Sequence, residues 1–271
     1  MILDIIKVFI LSLVEGLTEF VPVSSTGHMI IVDHFIKLSE NKEFVNAFQI
    51  IIQLGAILSV VVYFWDKLWP FSKDKEKNIS IWGMWIKIAV AVLPAVILGL
   101  LFNDAIESTF FNPLTVSIML IFYGIILIII ESNKKIKVKT HNVKELSFRT
   151  AILIGLFQCL AMIPGTSRSA ATIIGGVLLG LERVFATEFS FFLAIPTMFG
   201  ATILTILKSG MNFSGYEWLL ILLGFVLAFI FSYIVIKVFL DYIKKHDFKI
   251  FGYYRIILGV IMLILLIFTS L

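Results

Sequence analysis

Cysteine and charged residues are both scarce in this sequence, and each shortage excludes a class of protein. The single cysteine, Cys159, excludes an intrachain disulfide and any cysteine cluster for zinc or an iron–sulfur centre. Charged residues make up 15% of the 271 residues, whereas a soluble domain carries about 25%. The composition therefore argues against a soluble globular domain.

Hydrophobic residues make up 60% of the chain, and the mean hydropathy is +1.04. Several apolar windows, such as residues 44–65 and 219–236, approach the ~20 residues that a membrane-spanning helix needs. The sequence lacks the alternating segments of about ten residues that are typical of a membrane β-barrel. We therefore predict an all-α polytopic membrane protein.

The apolar segments are arranged as two interrupted pairs and a set of full-length spans. The interrupted pairs cover residues 2–36 and 150–181, and a proline breaks each of them near its middle. We predict full spans for residues 44–65, 81–102, 113–131, 185–207, 217–240 and 252–270. Each half of this single membrane domain then contains one broken pair followed by three spans, with repeat one at about 1–131 and repeat two at about 148–271.

Basic residues are concentrated in three connectors, which the positive-inside rule assigns to the cytoplasm. These connectors are residues 66–80, 132–149 and 241–251, whereas connectors 103–112 and 208–216 contain one basic residue between them. The two halves would then have opposite orientations, and the broken pairs would be re-entrant, each returning to the face that it entered. Because the basic residues indicate a membrane orientation, we predict no nucleic-acid partner.

Short matching motifs relate the two halves at the position of each break. Residues 16–19 resemble residues 155–158, and residues 22–25 resemble residues 164–167 after a slip of three residues. The pieces of the second pair are too short to cross ~30 Å of hydrocarbon at 1.5 Å per residue. Interrupted segments at matching positions of two inverted repeats indicate a site near the membrane midplane. We therefore expect the two breaks to meet there.

The first break is polar although apolar residues surround it. Glu15 and Glu19 are four residues apart, so they share one face of a helix. Two carboxylates in this setting predict a divalent-cation site or an acid/base pair, because like charges raise each other's pKa unless a cation lies between them. The alternative is a structural ion pair or a helix at the membrane interface.

The hydroxyl-rich residues that follow are candidates for capping and for catalysis. We expect one of Ser24, Ser25 and Thr26 to cap the next helix. Gly27 permits a close backbone approach, and His28 is a candidate nucleophile, acid/base group or metal ligand. Together with the carboxylates, they predict a catalytic site at the first break.

The second break predicts an anion site. Residues 164–165, Pro-Gly, end one helix, and the next helix is predicted to begin between Ser167 and Ser169. Backbone N–H groups at a helix N-terminus bind anions, and Arg168 adds a planar donor group that suits phosphate oxygens. Thr172, one turn further on, supplies another hydroxyl.

Two charge pairs are open to a purely structural interpretation. Arg168 could simply neutralise Glu19, which would still leave the guanidinium free to bind phosphate. Arg183 lies beside Glu182 in the sequence, and we predict that these two residues form an ion pair at the membrane interface.

The combination of these groups indicates phosphoryl transfer. The sequence contains no P-loop, zinc-protease helix or GxSxG motif. Cation binding, phosphate recognition and a nucleophile act together in phosphoryl transfer, in which positioning and charge neutralisation supply most of the catalysis. The alternative is an inverted-repeat transporter or flippase for an anionic lipid, which needs no nucleophile.

These motifs resemble the two signature motifs of the bacterial undecaprenyl-diphosphate phosphatases of the bacitracin-resistance type. Glu15-xxx-Glu19, residues 22–28 and residues 164–172 carry the resemblance, which extends over essentially the whole chain. Ala170 stands where the family usually has glycine, a departure that removes no reactive group. The resemblance implies a multi-pass enzyme of the bacterial plasma membrane that removes the terminal phosphate of undecaprenyl diphosphate. This reaction recycles the lipid carrier for wall synthesis and confers bacitracin resistance.

The resemblance also implies residue roles and partners. Glu15 and Glu19 would bind the cation, Mg²⁺ or Ca²⁺, or assist proton transfer. Ser25 or His28 would attack the terminal phosphorus or activate water, and Arg168 would hold the polyprenyl diphosphate substrate. The other expected substrate-binding residues are Ser24, Thr26, Gly165, Thr166, Ser167, Ser169 and Thr172. A site that opens to the extracytoplasmic side and a homodimer are implied as well.

Overall fold

The computed structural model describes residues 1–133, 135–209 and 212–268. Lys134 of the predicted basic connector and the end of the predicted span 252–270 lie outside the described residues. Within the described ranges the chain forms α-helices joined by short connectors. The helices are α1 (Ile2–Thr18), α2 (Ser25–Phe35), α3 (Lys42–Tyr63), α4 (Trp65–Leu68), α5 (Lys75–Phe110), α6 (Pro113–Ser132), α7 (Phe148–Cys159), α8 (Arg168–Leu178), α9 (Arg183–Ser209), α10 (Gly215–Ile243) and α11 (Lys249–Phe268).

Six of the described helices, α3, α5, α6, α9, α10 and α11, are long and apolar enough to cross a membrane. They correspond to the six predicted full spans, so the prediction of an all-α multi-pass membrane protein is confirmed. Helix α5 is longer than the predicted span 81–102, since it begins at Lys75 and ends at Phe110. Its first turn is stabilised by Asp74, whose carboxylate accepts hydrogen bonds from the two backbone N–H groups of residues 76–77 at 2.9 and 3.1 Å.

The remaining long elements form two helix pairs, each with a sharp turn between its members. Helices α1 and α2 form the first pair, and residues 19–24 are its turn. Helices α7 and α8 form the second pair, in which a short 3₁₀ turn, Leu160–Met162, follows α7 and residues 163–167 complete the turn. Helix α1 packs against α10, α2 against α6, α7 against α5, and α8 against α9. The spanning helices therefore enclose both turns.

The predicted cytoplasmic connectors lie together at one face of the helix bundle, called the basic face below. The Lys67 ammonium lies 2.8 Å from the carboxylate of Glu188 near the start of α9. Lys244, which follows α10, interacts electrostatically with the same carboxylate. Thr140 of the third connector pairs with Leu181 in an isolated parallel β-bridge. The three connectors therefore meet around the start of α9.

The ends of the two helix pairs lie beside different elements of the bundle. The second pair begins and ends at the basic face, because Phe148 follows the connector that contains Thr140 and Leu181 follows α8. The first pair begins beside the start of α10, where the Tyr216 hydroxyl donates to Asp4 at 2.9 Å. The start of α3, which follows the first pair, lies there too. The ring centroids of Phe44 in α3 and Phe213, just before α10, are 5.8 Å apart.

The predicted pair between Arg183 and Glu182 is wrong. Arg183 instead binds Glu131 at the end of α6, with its Nη2 2.7 Å and its Nε 3.1 Å from the carboxylate. Adjacent residues do not face each other at a helix start, whereas the last turn of α6 and the first of α9 meet at the basic face. Glu182 uses its backbone N–H to bind the carbonyl oxygen of Thr140 at 2.9 Å.

Candidate active site

Both turns end in a serine that has the same unusual backbone conformation. Ser24 has φ 72° and Ser167 has φ 71°, and they are the non-glycine residues with positive φ in the described part of the chain. Each serine side chain caps the helix that follows it. The Ser24 hydroxyl accepts a hydrogen bond from the backbone N–H of Gly27 at 3.4 Å, and the Ser167 hydroxyl accepts one from that of Ala170 at 3.3 Å. The predicted caps and helix starts are confirmed. Strained conformations of this kind cost about 1–3 kcal/mol and cluster at functional sites.

The two turns meet at a buried cluster built around one carboxylate. The Arg168 Nη2 donates to Oε1 of Glu19 at 2.9 Å, and the Ser25 hydroxyl donates to Oε2 at 2.8 Å. All three residues are at least nine-tenths buried. Glu19 and Arg168 were expected to lie near each other, and the structure brings them into contact. Ser25 therefore has a carboxylate acceptor and a guanidinium within the same cluster.

Arg168 is held from its other side by α9. Its Nη1 donates to the backbone carbonyl oxygen of Ser190 at 3.0 Å. The Thr172 and Ser190 hydroxyls lie 2.6 Å apart, and Thr172 also donates to the carbonyl oxygen of Arg168. Sequence reasoning missed Ser190 because a single hydroxyl in an apolar span carries no pattern. Thr172 thus links α8 to α9 behind Arg168 and does not itself contact the Glu19 carboxylate in the described structure.

A small cavity of about 140 Å³ lies between the two turns. The predicted site residues that line it are Glu19, Ser24, Ser25, Thr26, Gly165, Ser167 and Arg168. Gln53 of α3 contributes an amide that the sequence analysis did not consider. The starts of α2 and α8 both border this cavity, so two positive helix-dipole ends face it. The cavity therefore combines donors for an anion with one carboxylate.

Ser169 and Thr166 lie behind the cavity lining and connect the turns to their surroundings. The Ser169 hydroxyl donates to the carbonyl oxygen of Val21 in the first turn at 3.2 Å, and it lies 3.0 Å from the Ser167 hydroxyl. Thr166 is fully buried, and its carbonyl oxygen accepts a hydrogen bond from Arg255 at 3.0 Å. These two predicted substrate-binding residues therefore hold the second turn in place.

His28 lies away from this cluster, on the side of α2 that faces α11. Its Nδ1 is 2.8 Å from the carbonyl oxygen of Ser24, and its Nε2 is 2.7 Å from the hydroxyl of Tyr254. The structure thus brings Ser25 to the cavity but not His28. The predicted role of His28 in attacking phosphorus has no geometric support here, while Ser25 has a carboxylate within hydrogen-bond distance.

Arg255 of α11 is a buried residue beside the two turns that the sequence analysis did not consider. Its side chain is fully buried, and it donates only to backbone carbonyl oxygens among the described residues. Those acceptors are Pro22 at 3.2 Å, Met119 at 3.3 Å, Leu120 at 3.4 Å, Gly165 at 2.8 Å and Thr166 at 3.0 Å. Arg255 therefore joins both turns to α6. An arginine inside a predicted span was the available signal, since such residues are costly and functional.

The residues present fit a divalent cation. Glu15 lies one turn before Glu19, is buried, and interacts electrostatically with Glu19 and Arg168. Its Oε1 has no hydrogen-bond partner in the described part of the structure. No cluster of three or more His, Cys, Asp or Glu side chains occurs there, so oxygen atoms of the substrate would have to complete the coordination. Mg²⁺ is commonly bound in this way, by one or two carboxylates and substrate phosphates.

The fold and this cluster define a multi-pass, all-helical membrane protein with a buried carboxylate–arginine–hydroxyl site. Residues 8–261 match the protein family described as "Bacitracin resistance protein BacA". The chain belongs to this family, as its two polar motifs predicted.

Individual relatives are similar along almost their whole length. The chain is 53% identical over 266 residues to "Undecaprenyl-diphosphatase 1" of Clostridioides difficile, covering 97% of this chain and 96% of that protein. It is 56% identical over 264 residues to "Undecaprenyl-diphosphatase" of Fusobacterium nucleatum, covering 96% and 99%. It is 49% identical over 268 residues to "Undecaprenyl-diphosphatase" of Enterococcus faecalis, covering 97% of each.

Proposed function

We propose that this protein is an undecaprenyl-diphosphate phosphatase that releases inorganic phosphate and returns undecaprenyl phosphate as a lipid carrier for cell-wall synthesis. Its membership of the bacitracin-resistance family and its similarity to relatives with that name support the assignment. The observation that carries it is the contact of Ser25 and Arg168 with the two oxygens of the Glu19 carboxylate beside one cavity. Bacitracin resistance is an attribute of the family.

Arg168 binds the diphosphate in this proposal. Its guanidinium is paired with Glu19. Phosphate oxygens are strong acceptors for a planar guanidinium, so the terminal phosphate replaces Glu19 as the partner of Arg168. The N-termini of α2 and α8 add positive potential on the same side of the cavity. The exchange releases Oε1 of Glu19, while Oε2 stays in contact with the Ser25 hydroxyl.

Ser25 attacks the terminal phosphorus. Its hydroxyl already donates to Glu19, which is the arrangement of a nucleophile and its base. The Ser25 Oγ–P bond forms as the proton passes to Glu19 and the bridging P–O bond breaks, releasing undecaprenyl phosphate. The departing undecaprenyl phosphate takes this proton from Glu19. Water then attacks the phosphoserine phosphorus and gives a proton to Glu19, and Glu19 passes it to Ser25 Oγ as the P–Oγ bond breaks and inorganic phosphate leaves. This second step regenerates Ser25.

Glu15 and Glu19 would hold a divalent cation, Mg²⁺ or Ca²⁺. The buried Glu15 oxygen without a hydrogen-bond partner among the described residues supports this part of the proposal. When bound, the cation would neutralise negative charge on the diphosphate. Removal of divalent cations by a chelator should stop phosphate release, and either Mg²⁺ or Ca²⁺ should restore it.

We further propose that the two halves of the chain are inverted repeats and that both helix pairs are re-entrant. The ends of the first pair lie near Tyr216 at one face, and those of the second lie near Thr140 at the other. The shared conformation of Ser24 and Ser167 supports the relationship between the turns. The positive-inside rule favours a cytoplasmic location for the basic face. An opening of the cavity to the extracytoplasmic side, and a homodimer, stay predictions.

The proposed activity is tested with purified protein in detergent and a long-chain polyprenyl diphosphate. We expect release of phosphate in the presence of Mg²⁺ or Ca²⁺, and loss of release in Arg168→Ala. Arg149→Ala is a matched control, because that arginine is exposed near the start of α7 and lies outside the cavity lining. Movement of the lipid across proteoliposomes without hydrolysis would instead support the transporter alternative. Absence of hydrolysis across metals and pH values would contradict the proposal.

A further inference from the structure

The hydrogen bonds of His28 define which of its nitrogens carries a proton. The carbonyl oxygen of Ser24 is only an acceptor, so Nδ1, which lies 2.8 Å from it, must be the donor. In a neutral imidazole the other nitrogen is then an acceptor. The hydroxyl of Tyr254, 2.7 Å from Nε2, must therefore donate to it. These contacts assign the Nδ1–H tautomer to His28.

Tyr254 is held firmly in its place beside the histidine. Its ring is stacked on that of His28, with centroids 5.5 Å apart and an angle of 7° between the planes. The next residue along α11 is Arg255, which is anchored by carbonyl oxygens of both turns and of α6. The hydroxyl of Tyr254 is therefore fixed relative to the first turn.

The Ser24 carbonyl connects this contact with the reacting group. Ser24 has a φ of 72°, which a serine rarely adopts without support from its surroundings. Its carbonyl oxygen accepts from both the ring and, at 3.4 Å, the backbone N–H of His28. The following residue is Ser25, whose hydroxyl must face Glu19 at 2.8 Å. Any rotation of the Ser24 peptide would turn Ser25 away from its base.

We propose that Tyr254 is a positioning residue that acts through His28. Its hydroxyl donates to Nε2 and holds the imidazole in the orientation in which Nδ1–H binds the Ser24 carbonyl, and the turn presents Ser25 to Glu19 and the substrate. His28 then serves as an anchor of the turn, because its Nε2 lone pair is occupied by Tyr254. The inference rests on the proposed function, in which Ser25 attacks the terminal phosphate.

The kinetic test compares Tyr254→Phe with Tyr253→Phe. Tyr253 is the neighbouring tyrosine on α11 and is more exposed, at 55% against 44% for Tyr254. Loss of the Tyr254 hydroxyl keeps the stacked ring, and we expect kcat to fall about tenfold with KM changed less than about twofold. The Tyr253→Phe control should keep both constants. An unchanged kcat in Tyr254→Phe would overturn the proposal, as would a fall in kcat that only follows loss of folded protein.

The spectroscopic test reads the tautomer directly. Protein that contains ¹⁵N-labelled histidine is studied by NMR in detergent micelles, and His28→Gln identifies the His28 signals. We expect a protonated Nδ1 and an unprotonated Nε2 in the wild type, and in Tyr254→Phe a changed chemical shift of Nε2, because its hydrogen bond from the tyrosine hydroxyl is lost. A wild-type His28 with its proton on Nε2 would overturn the inference. If the wild type released no phosphate, the proposed function would fail, whereas this spectrum would still test the contact between His28 and Tyr254.

Discussion

The carboxylate of Glu19 and the guanidinium of Arg168 lie 2.9 Å apart although 149 residues separate them in the chain. Both side chains are almost fully buried, in surroundings from which an unpaired charge would be strongly disfavoured. The contact joins the turn of the first helix pair to that of the second. The pair therefore has two functions in this account, since each residue compensates the buried charge of the other and Arg168 exchanges partners when a diphosphate binds.

Removing this ion pair whole should cost less than the two losses that follow from breaking it at either side alone. Glu19→Gln or Arg168→Met alone leaves a buried charge without its partner, and we expect a loss of about 3–5 kcal/mol in the free energy of unfolding. The double variant should lose clearly less than the sum of the two. Thermal or denaturant unfolding in detergent measures all three. Lys244→Met, which removes an exposed cation, is the control and should change stability by less than about 1 kcal/mol. Additive losses would show that the two charges do not depend on each other.

Ser25→Ala should remove nearly all turnover. If the hydroxyl is the nucleophile, its loss is expected to lower kcat at least about a thousandfold, while the diphosphate still binds to Arg168. Phosphate release from a polyprenyl diphosphate measures this change. Ser59→Ala is the matched control, because the hydroxyl of that buried serine donates to the carbonyl oxygen of Ala56 within α3 at 2.6 Å and Ser59 does not line the cavity. A Ser25→Ala protein with more than about a tenth of wild-type kcat would require another nucleophile.

Arg255→Met should loosen both turns at once. The variant leaves the carbonyl oxygens that Arg255 binds without that donor, and we expect it to lower the free energy of unfolding by at least about 3 kcal/mol and to lower activity. Arg255→Lys keeps the charge but not the planar set of donors, so it should recover only part of either loss. Lys237→Met, which removes an exposed cation from α10, should have little effect. Stability and kcat equal to the wild type in Arg255→Met would contradict the assigned contacts.

Gly155 should tolerate no side chain. A Cβ at this position of α7 would collide with the backbone carbonyl of Ala91 in α5. Close backbone approach at a small residue is a common way for helices to pack in membranes, and Gly155→Ala is expected to destabilise the protein by about 1–3 kcal/mol. Gly83 of α5 is the control, since a Cβ there would meet no atom within 4 Å. Equal melting temperatures for Gly155→Ala and Gly83→Ala in detergent would refute the packing.

Much of the fold could be predicted because hydropathy and proline are local signals. Apolar length identified the six spans, and the prolines located the two broken pairs. The ends of α5 were missed because a helix can continue beyond the apolar span into polar residues such as Lys75. The first charged residue therefore shows where the apolar span ends but not where the helix ends. Arg183 was paired with the wrong carboxylate because sequence proximity does not indicate which helix ends meet.

The candidate site was predictable only where its residues form short motifs. Glu19 and Arg168 could be related because each lies in a polar break inside an apolar segment. Tyr254 and Arg255 belong to an otherwise ordinary apolar helix, and their importance comes from contacts with turns more than 80 residues away in the chain. Hydrophobic periodicity does not encode such contacts. His28 was assigned to catalysis from its residue type, and only its surroundings indicate a different role.

The most direct test of the account is a structure of the protein with a polyprenyl methylenediphosphonate, an analogue whose bridging carbon resists hydrolysis. We expect its terminal phosphonate in the cavity between the two turns, bound by Arg168 and within reach of the Ser25 hydroxyl, with the contact between Arg168 and Glu19 replaced. An analogue bound elsewhere, with that contact intact, would contradict the account.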